Sequence, residues 1–166
     1  MSIAPPLARI AVGVLAERRH SASPWAGELW APIGVLAGVP DTPAWTKLSE
    51  DAERATYYAG AAEIELYRSE TASYGDNLLS GAPMLWVVLR AAEAAPPYRV
   101  FAVTADPAEG EAFTQTSDDI VEALLMPPSV QETIAGFVAE HHVDRSFIKR
   151  VRDRAEPDRM SRGERE

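Results

Sequence analysis

Between Thr56 and Thr71 the chain reads TYYAGAAEIELYRSET, and its side chains fall into two alternating sets. Tyr58, Ala62, Ile64 and Leu66 are apolar, while Glu63, Glu65, Tyr67 and Ser69 are mostly polar. Successive side chains of a strand point to opposite sides of the pleat, so a period of two marks a strand with one face on a core and the other in water. The stretch therefore predicts a half-covered sheet. Its wet face carries Glu63 and Glu65 side by side, about 6.5 to 7 Å apart.

The flanking segments supply partners for that strand. Ile10 to Arg19 is apolar on both alternations as far as Glu17, which suits a strand covered on both sides. Glu28 to Gly38 predicts a second strand, with Pro32 marking an edge, a bulge or a break because proline cannot donate to a ladder. Residues 39–55 hold breakers and charges and read as a long surface loop. After Thr71 no period persists, and a single helical turn from Tyr74 to Leu79 is expected before Gly81 and Pro83. Met84 to Arg90 and Tyr98 to Ala105 predict two strands whose short linker requires them to be antiparallel. Asp106 and Pro107 form the N-cap and first residue of a short helix through Phe113, and Ile120 to Leu125 reads as a brief strand. Ser129 and Glu132 match a capping box that opens the clearest helix, in which Val130, Ile134, Phe137, Val138 and His141 share one face. That face is expected to lie on the sheet. From Asp144 onward, Phe147, Ile148 and Val151 form an apolar strip among Arg145, Lys149, Arg150, Arg152 and Arg154, and residues 155–166 have too little apolar content to fold.

These elements define a single α+β domain over residues 1–154 with a disordered charged tail over 155–166. The expected architecture is a mainly antiparallel, bent sheet of five or six strands, with closure into a small barrel left open, and a C-terminal helix packed on it. At 166 residues the chain matches one domain, and such a domain buries roughly 70% of the surface its unfolded chain exposes.

Charge and composition remove whole classes of function. A net charge of −9 argues against nucleic-acid binding, which needs a basic face to neutralise phosphates. The charge is uneven, however: eight Lys/Arg against six Asp/Glu from residue 144 onward leave −11 for residues 1–143. With no cysteine there is no disulfide, no thiolate metal site and no cysteine nucleophile. No apolar run approaches the roughly 18 to 20 residues needed to span a bilayer, and the first twenty residues read as a strand rather than a signal peptide. The expected compartment is the cytoplasm, and no membrane partner is expected.

Catalytic signatures are missing as well. The chain has no dinucleotide fingerprint, phosphate loop, nucleophile elbow or zinc-protease pair, so no catalytic residue, cofactor or metal ligand is assigned. His141 and His142 are adjacent on a helix and diverge by about 100°, so they cannot grip one metal as an i, i+4 pair does. Two histidines at a helix C-terminus interact favourably with its dipole, and a ligand-binding or acid–base role for His141 or His142 is the alternative. Glu63 and Glu65 have the spacing of a carboxylate pair but no evident third acid beside them. The remaining candidates are for binding. Trp25, Trp30 and Trp45 cluster among prolines and would either line a pocket or plug the end of a sheet. Arg18 and Arg19 point to opposite faces of the first strand, so one of them is expected to be partly buried. Phe147, Lys149, Arg150 and Arg152 would dock on an acidic surface, either that of another protein or the chain's own.

Taken together, ERR at 17–19, Pro24-Trp25, Trp30, Pro32, VLAGVP, Trp45, YYAGAAEIELYRSET, NLLSG, WVVLR, VTADPAE, DDIVEALLMP, FVAEHHV and FIKR resemble a bacterial family designated domain of unknown function 3305. The resemblance spans roughly residues 10–152. Members are often encoded beside subunits of molybdenum- or tungsten-dependent formate dehydrogenase. The resemblance therefore implies a non-catalytic accessory role in assembly, maturation or regulation of that enzyme, with one of its subunits or a maturation factor as partner. A small-ligand-binding protein or an enzyme with a pocket near the Trp-rich segment is the alternative. A metal carrier built on His141, His142 and the acids is a third.

Overall fold

Two 13-residue strands, β1 (Ala8–His20) and β4 (Arg54–Leu66), pair antiparallel along their length and form the spine of the computed structural model, which describes residues 4–25, 27–115 and 118–143. Val12, Val14 and Ala16 of β1 and Ile64 and Leu66 of β4 lie on one face and are fully buried. Complete burial of each such aliphatic side chain contributes on the order of 1.5 to 3 kcal/mol. On the opposite face of β4, Glu63 and Glu65 are exposed, as the alternation requires. β2 (Glu28–Ala37) pairs with β1 and β3 (Thr46–Glu50) with β4, giving the order β2-β1-β4-β3.

A second sheet is centred on β5 (Met84–Ala91), flanked by β6 (Tyr98–Thr104) and β7 (Ile120–Leu125) in the order β6-β5-β7, all antiparallel. Leu85, Val87, Leu89 and Val103 face Val12, Val14, Ile64 and Leu66 to make the core. β6 runs beside β4 and β7 beside β2, yet among the described residues no ladder joins the two sheets. The molecule is thus a pair of packed antiparallel sheets, seven strands in all among the described residues. This corrects the expected single sheet of five or six strands, and no closed barrel forms. The split falls where the chain leaves β4 for helix α1 (Thr71–Leu79), so β5 begins a new sheet instead of extending the first.

Local chemistry explains several boundaries. β4 ends at Leu66 rather than at Thr71 because the Tyr67 N–H donates to the Tyr74 hydroxyl at 3.0 Å instead of to a neighbouring strand. A 3₁₀ turn over Arg68–Glu70 follows, and α1 then runs for nine residues where one turn was expected. β3 sits inside the segment expected to be a loop. Its edge position needs only one paired side, so Lys47, Ser49 and Glu50 can face water there. Helix α2 (Pro107–Thr114) begins as expected, with the Asp106 side chain accepting from the Ala108 N–H at 3.0 Å and Pro107 in the first turn. It lies over β5 and β7.

Helix α3 (Pro128–His141) departs from expectation at its start. Its N-cap is Pro127, with no side-chain cap bond, so Ser129 and Glu132 do not form a capping box. Two consecutive prolines set the helix entry themselves, and Gln131 Nε2 donates to the Met126 carbonyl at 2.9 Å. Val130, Ile134 and Phe137 are buried as predicted, in one core cluster with residues of both sheets, and the helix also packs beside α1, with Phe137 edge-on to Tyr74 at 6.2 Å. The two helices close the end of the sandwich where β4 finishes.

Candidate functional site

The other end of the sandwich is closed by aromatic rings. Arg18 pairs with Trp30 across the β1–β2 ladder and with Ala55 across the β1–β4 ladder, so Trp30 and its neighbour Tyr57 converge there. Trp30 meets Trp45 edge-on at 5.6 Å, Tyr57 at 5.4 Å and Tyr98 of β6 at 6.3 Å. Trp45 holds this position with φ 63°, in the left-handed region that a bulky side chain avoids. A strained backbone of that kind costs on the order of 1 to 3 kcal/mol and persists only where packing enforces it. Trp30 and Trp45 thus plug the core, with Trp45 packed against the main cluster.

The candidate arginines separate as the alternation predicts. Arg18 is only 20% exposed; its Nη2 donates to Glu50 at 3.3 Å, its Nε lies 3.7 Å from Glu28, and its guanidinium carbon sits 5.8 Å from the Tyr57 ring centroid. Arg19 is exposed and lies 3.9 Å from Glu17. Lys47 bonds Glu50 as well, and that bond, with Arg18 nearby, holds the Glu50 carboxyl below its usual range. Trp25 is absent from the plug. It stands 93% exposed on the turn between β1 and β2, and Leu29 and Leu36 continue along the outer face of β2, 50% and 36% exposed. Leu29 opposes Arg19 and Leu36 opposes Gly13, which places both on the face turned away from the core.

The histidines belong to the helical end. His141 packs its ring on Phe137 at 4.6 Å and lies 3.7 Å from Glu140. His142 ends α3, its N–H bonding the Val138 carbonyl, and its Nδ1 shares a 3.0 Å hydrogen bond with the Thr71 hydroxyl at the start of α1. Both line a half-open groove of about 1040 Å³ together with Leu7, Tyr67, Arg68, Ser69 and Val143. Among the described residues no group of three or more His, Asp or Glu is able to hold a metal ion. Phe147, Lys149, Arg150 and Arg152 lie outside the described residues.

Glu63 and Glu65 acquire company that the sequence did not reveal. Arg9 lies between them, its Nε 3.5 Å from Glu63 and 3.7 Å from Glu65, and the Tyr67 hydroxyl donates to Glu65 at 2.6 Å. That bond, reinforced by burial, raises the Tyr67 phenol above its usual range. Glu109 of α2 joins them along a cleft of about 190 Å³ walled by Phe101 and Thr104, with the Thr104 hydroxyl donating to Glu109 at 2.9 Å. A third acid therefore does stand beside the pair. It arrives because β6 runs along β4, a long-range neighbourhood for which β4 carries no local signal. Tyr57, Tyr98 and Thr71 reach their sites in the same way.

An α+β fold of two packed antiparallel sheets, plugged by aromatic rings at one end and by a helix pair at the other, is the class these features define. A family model described as "Protein of unknown function (DUF3305)" matches residues 11–151, and the chain belongs to that family. No curated protein and no solved structure matches it.

Proposed function

We propose that this protein is a non-catalytic accessory protein of the cytoplasm that acts in the assembly, maturation or regulation of a molybdenum- or tungsten-dependent formate dehydrogenase. Its partner is a subunit of that enzyme or a maturation factor. The β1–β2 hairpin makes the contact, with Trp25 as its anchor. The observation that carries this reading is the exposure of Trp25, continued by Leu29 and Leu36 along one face of β2. Large apolar rings standing in water are costly to solvate, and Trp is the residue most often found dominating the energy of a protein contact. The choice of partner rests on what the family resemblance implies, its members often being encoded beside such subunits. A ligand pocket beside the tryptophans is less well supported, since Trp30 and Trp45 are occupied with Tyr57 and Tyr98. No helix among the described residues is long and apolar enough to cross a membrane.

The test is affinity purification of the tagged protein from cells expressing the neighbouring operon, in parallel with Trp25→Ser/Leu29→Ser. The wild type is expected to recover a dehydrogenase subunit or maturation factor, and the variant at least tenfold less of it while remaining folded. Recovery of neither class of partner, together with unchanged formate oxidation in a deletion strain, overturns the reading.

A further inference from the structure

Among the described residues no carboxylate lines the groove at the helical end, although residues 1–143 carry −11. The cleft beyond Tyr67 is its opposite, with Glu63, Glu65 and Glu109 on its walls. Three segments far apart in sequence build the groove: residues 4–7 ahead of β1, residues 67–72 running from β4 into α1, and residues 141–143 at the end of α3. Its volume of about 1040 Å³ is ample for a small molecule, since ligand sites commonly enclose roughly 300 to 1,000 Å³.

Arg68 gives this groove its charge. It stands exposed on the 3₁₀ turn and makes no ion pair among the described residues, whereas Arg9, Arg18, Arg19, Lys47, Arg54 and Arg90 each lie beside a carboxylate. Arg99 of β6 is also without an ion pair among these residues, and it does not line the groove. The turn that carries Arg68 is fixed on both sides: the Tyr67 N–H donates to the Tyr74 hydroxyl at 3.0 Å, and the Thr71 hydroxyl donates to the Arg68 carbonyl at 3.3 Å. The rest of the lining includes apolar surface from Pro5, Leu7, Ala72 and Val143. Leu7 leaves 54% of its surface in water there, although its N–H is tied to the Leu66 carbonyl at 2.9 Å. A guanidinium beside exposed aliphatic surface suits a ligand with an anionic head and an apolar body.

We propose that the groove binds a small organic monocarboxylate, with Arg68 holding the carboxylate and Leu7, Pro5 and Ala72 covering its apolar body. The planar fork of an arginine matches a carboxylate with two parallel hydrogen bonds. One guanidinium balances one negative charge. A phosphate dianion would keep a second charge uncompensated beside a body of −11, which selects against it. The groove and Trp25 lie at opposite ends of the sandwich, so this site stands or falls independently of the protein partner.

The test is an amide chemical-shift titration of the isotope-labelled, full-length protein with sodium octanoate to about 5 mM, which covers the millimolar range that one ion pair and a short apolar chain provide. Saturable shifts centred on residues 67–72 and 141–143 are expected. Arg68→Gln is expected to weaken binding about tenfold. Arg99→Gln removes the same charge elsewhere and should leave binding unchanged. No saturable shift in the wild type overturns the proposal, and so does equal weakening in both variants, which would mean that octanoate responds to net charge alone. Octanol or octylammonium binding as well as octanoate also overturns it, because the head group would then not be read. Tighter binding of inorganic phosphate than of octanoate overturns the ligand class. Leu7→Ser, at an exposed side chain, is expected to weaken octanoate about threefold while leaving acetate unaffected, and an unchanged octanoate affinity would remove the apolar wall from the site.

Discussion

Asn77 shows how much a single side chain can carry here. Buried near the end of α1, its amide nitrogen donates to the Met84 carbonyl at 2.8 Å and to the Ala105 carbonyl at 3.0 Å, and its oxygen accepts from the Met84 N–H at 3.0 Å. One residue thereby ties the helix to the start of β5 and to the end of β6. Asn77→Ala leaves these backbone groups without a partner in a dry site, and a loss of about 2 to 4 kcal/mol is expected in denaturant unfolding. Asn77→Asp is expected to be no better, because a carboxylate faces two carbonyls it cannot bond. Residue roles of this kind were the least legible part of the sequence. Asn77 lay in a stretch read as one loose helical turn, and Glu109 gave no sign that it would stand beside Glu63 and Glu65. Hydrogen-bonding partners 28 residues apart leave no local pattern. The opposite exposures of Arg18 and Arg19, by contrast, followed from strand alternation alone.

At the scale of elements, α2 makes the sharpest commitment. A Cβ built on Gly110 would lie 2.2 Å from Trp86 Cγ of β5, a distance that no relaxation of the flexible tip of a side chain relieves. In an open helix Gly→Ala is stabilising by about 1 kcal/mol. Here the clash should dominate, and Gly110→Ala is expected to lower stability by about 1 to 3 kcal/mol in thermal or denaturant unfolding. Trp86→Ala in the same chain should restore the usual sign of the glycine substitution. Elements with regular alternation or strong punctuation were readable: β5, β6 and β7 lie within a residue of where the pattern put them, and Asp106-Pro107 opens α2. β3 was hidden because an edge strand can be polar on both alternations and still pair with β4. The start of α3 was misread because two prolines replace the side-chain cap that Ser129 would otherwise have provided.

For the whole molecule, acid is the informative stress. The Asp119 side chain is 1% exposed and makes two bonds to Arg90, at 2.9 and 2.8 Å, with the guanidinium stacked 3.3 Å from the Phe101 ring centroid. The Arg90 hydrogen bonds hold the Asp119 carboxyl below its ordinary value of 3.8. Asp51 is held low by the backbone N–H groups of Glu53 and Arg54. A folded-state value below the unfolded one means that the unfolded chain takes up more protons in acid. The associated stability is therefore present above about pH 4 and is lost as pH falls through the lowered folded value. Asp119→Asn is expected to reduce the denaturant midpoint at pH 7, and the gap from wild type should narrow at pH 3. An equal gap at both values would show that the ion pair adds nothing of its own. What the sequence left open at this scale was the division of strands between sheets, since alternation says which face is covered and not which strand lies alongside. The antiparallel pairing of β5 with β6 was readable only because so short a linker permits nothing else.

Each sheet is drawn from one unbroken stretch, the first from residues 8–66 and the second from 84–125. A chain made from its N-terminus can close the first sheet as soon as Leu66 clears the ribosome, before Leu85, Val87, Leu89 and Val103 have been added to cover it. At roughly 5 to 20 residues per second, the remaining stretch to Leu125 takes about 3 to 12 s. For that interval Val12, Val14, Ile64 and Leu66 form an uncovered apolar plane. The newborn protein then has its greatest need of shielding by a chaperone, and any slowing of translation between residues 66 and 125 extends it.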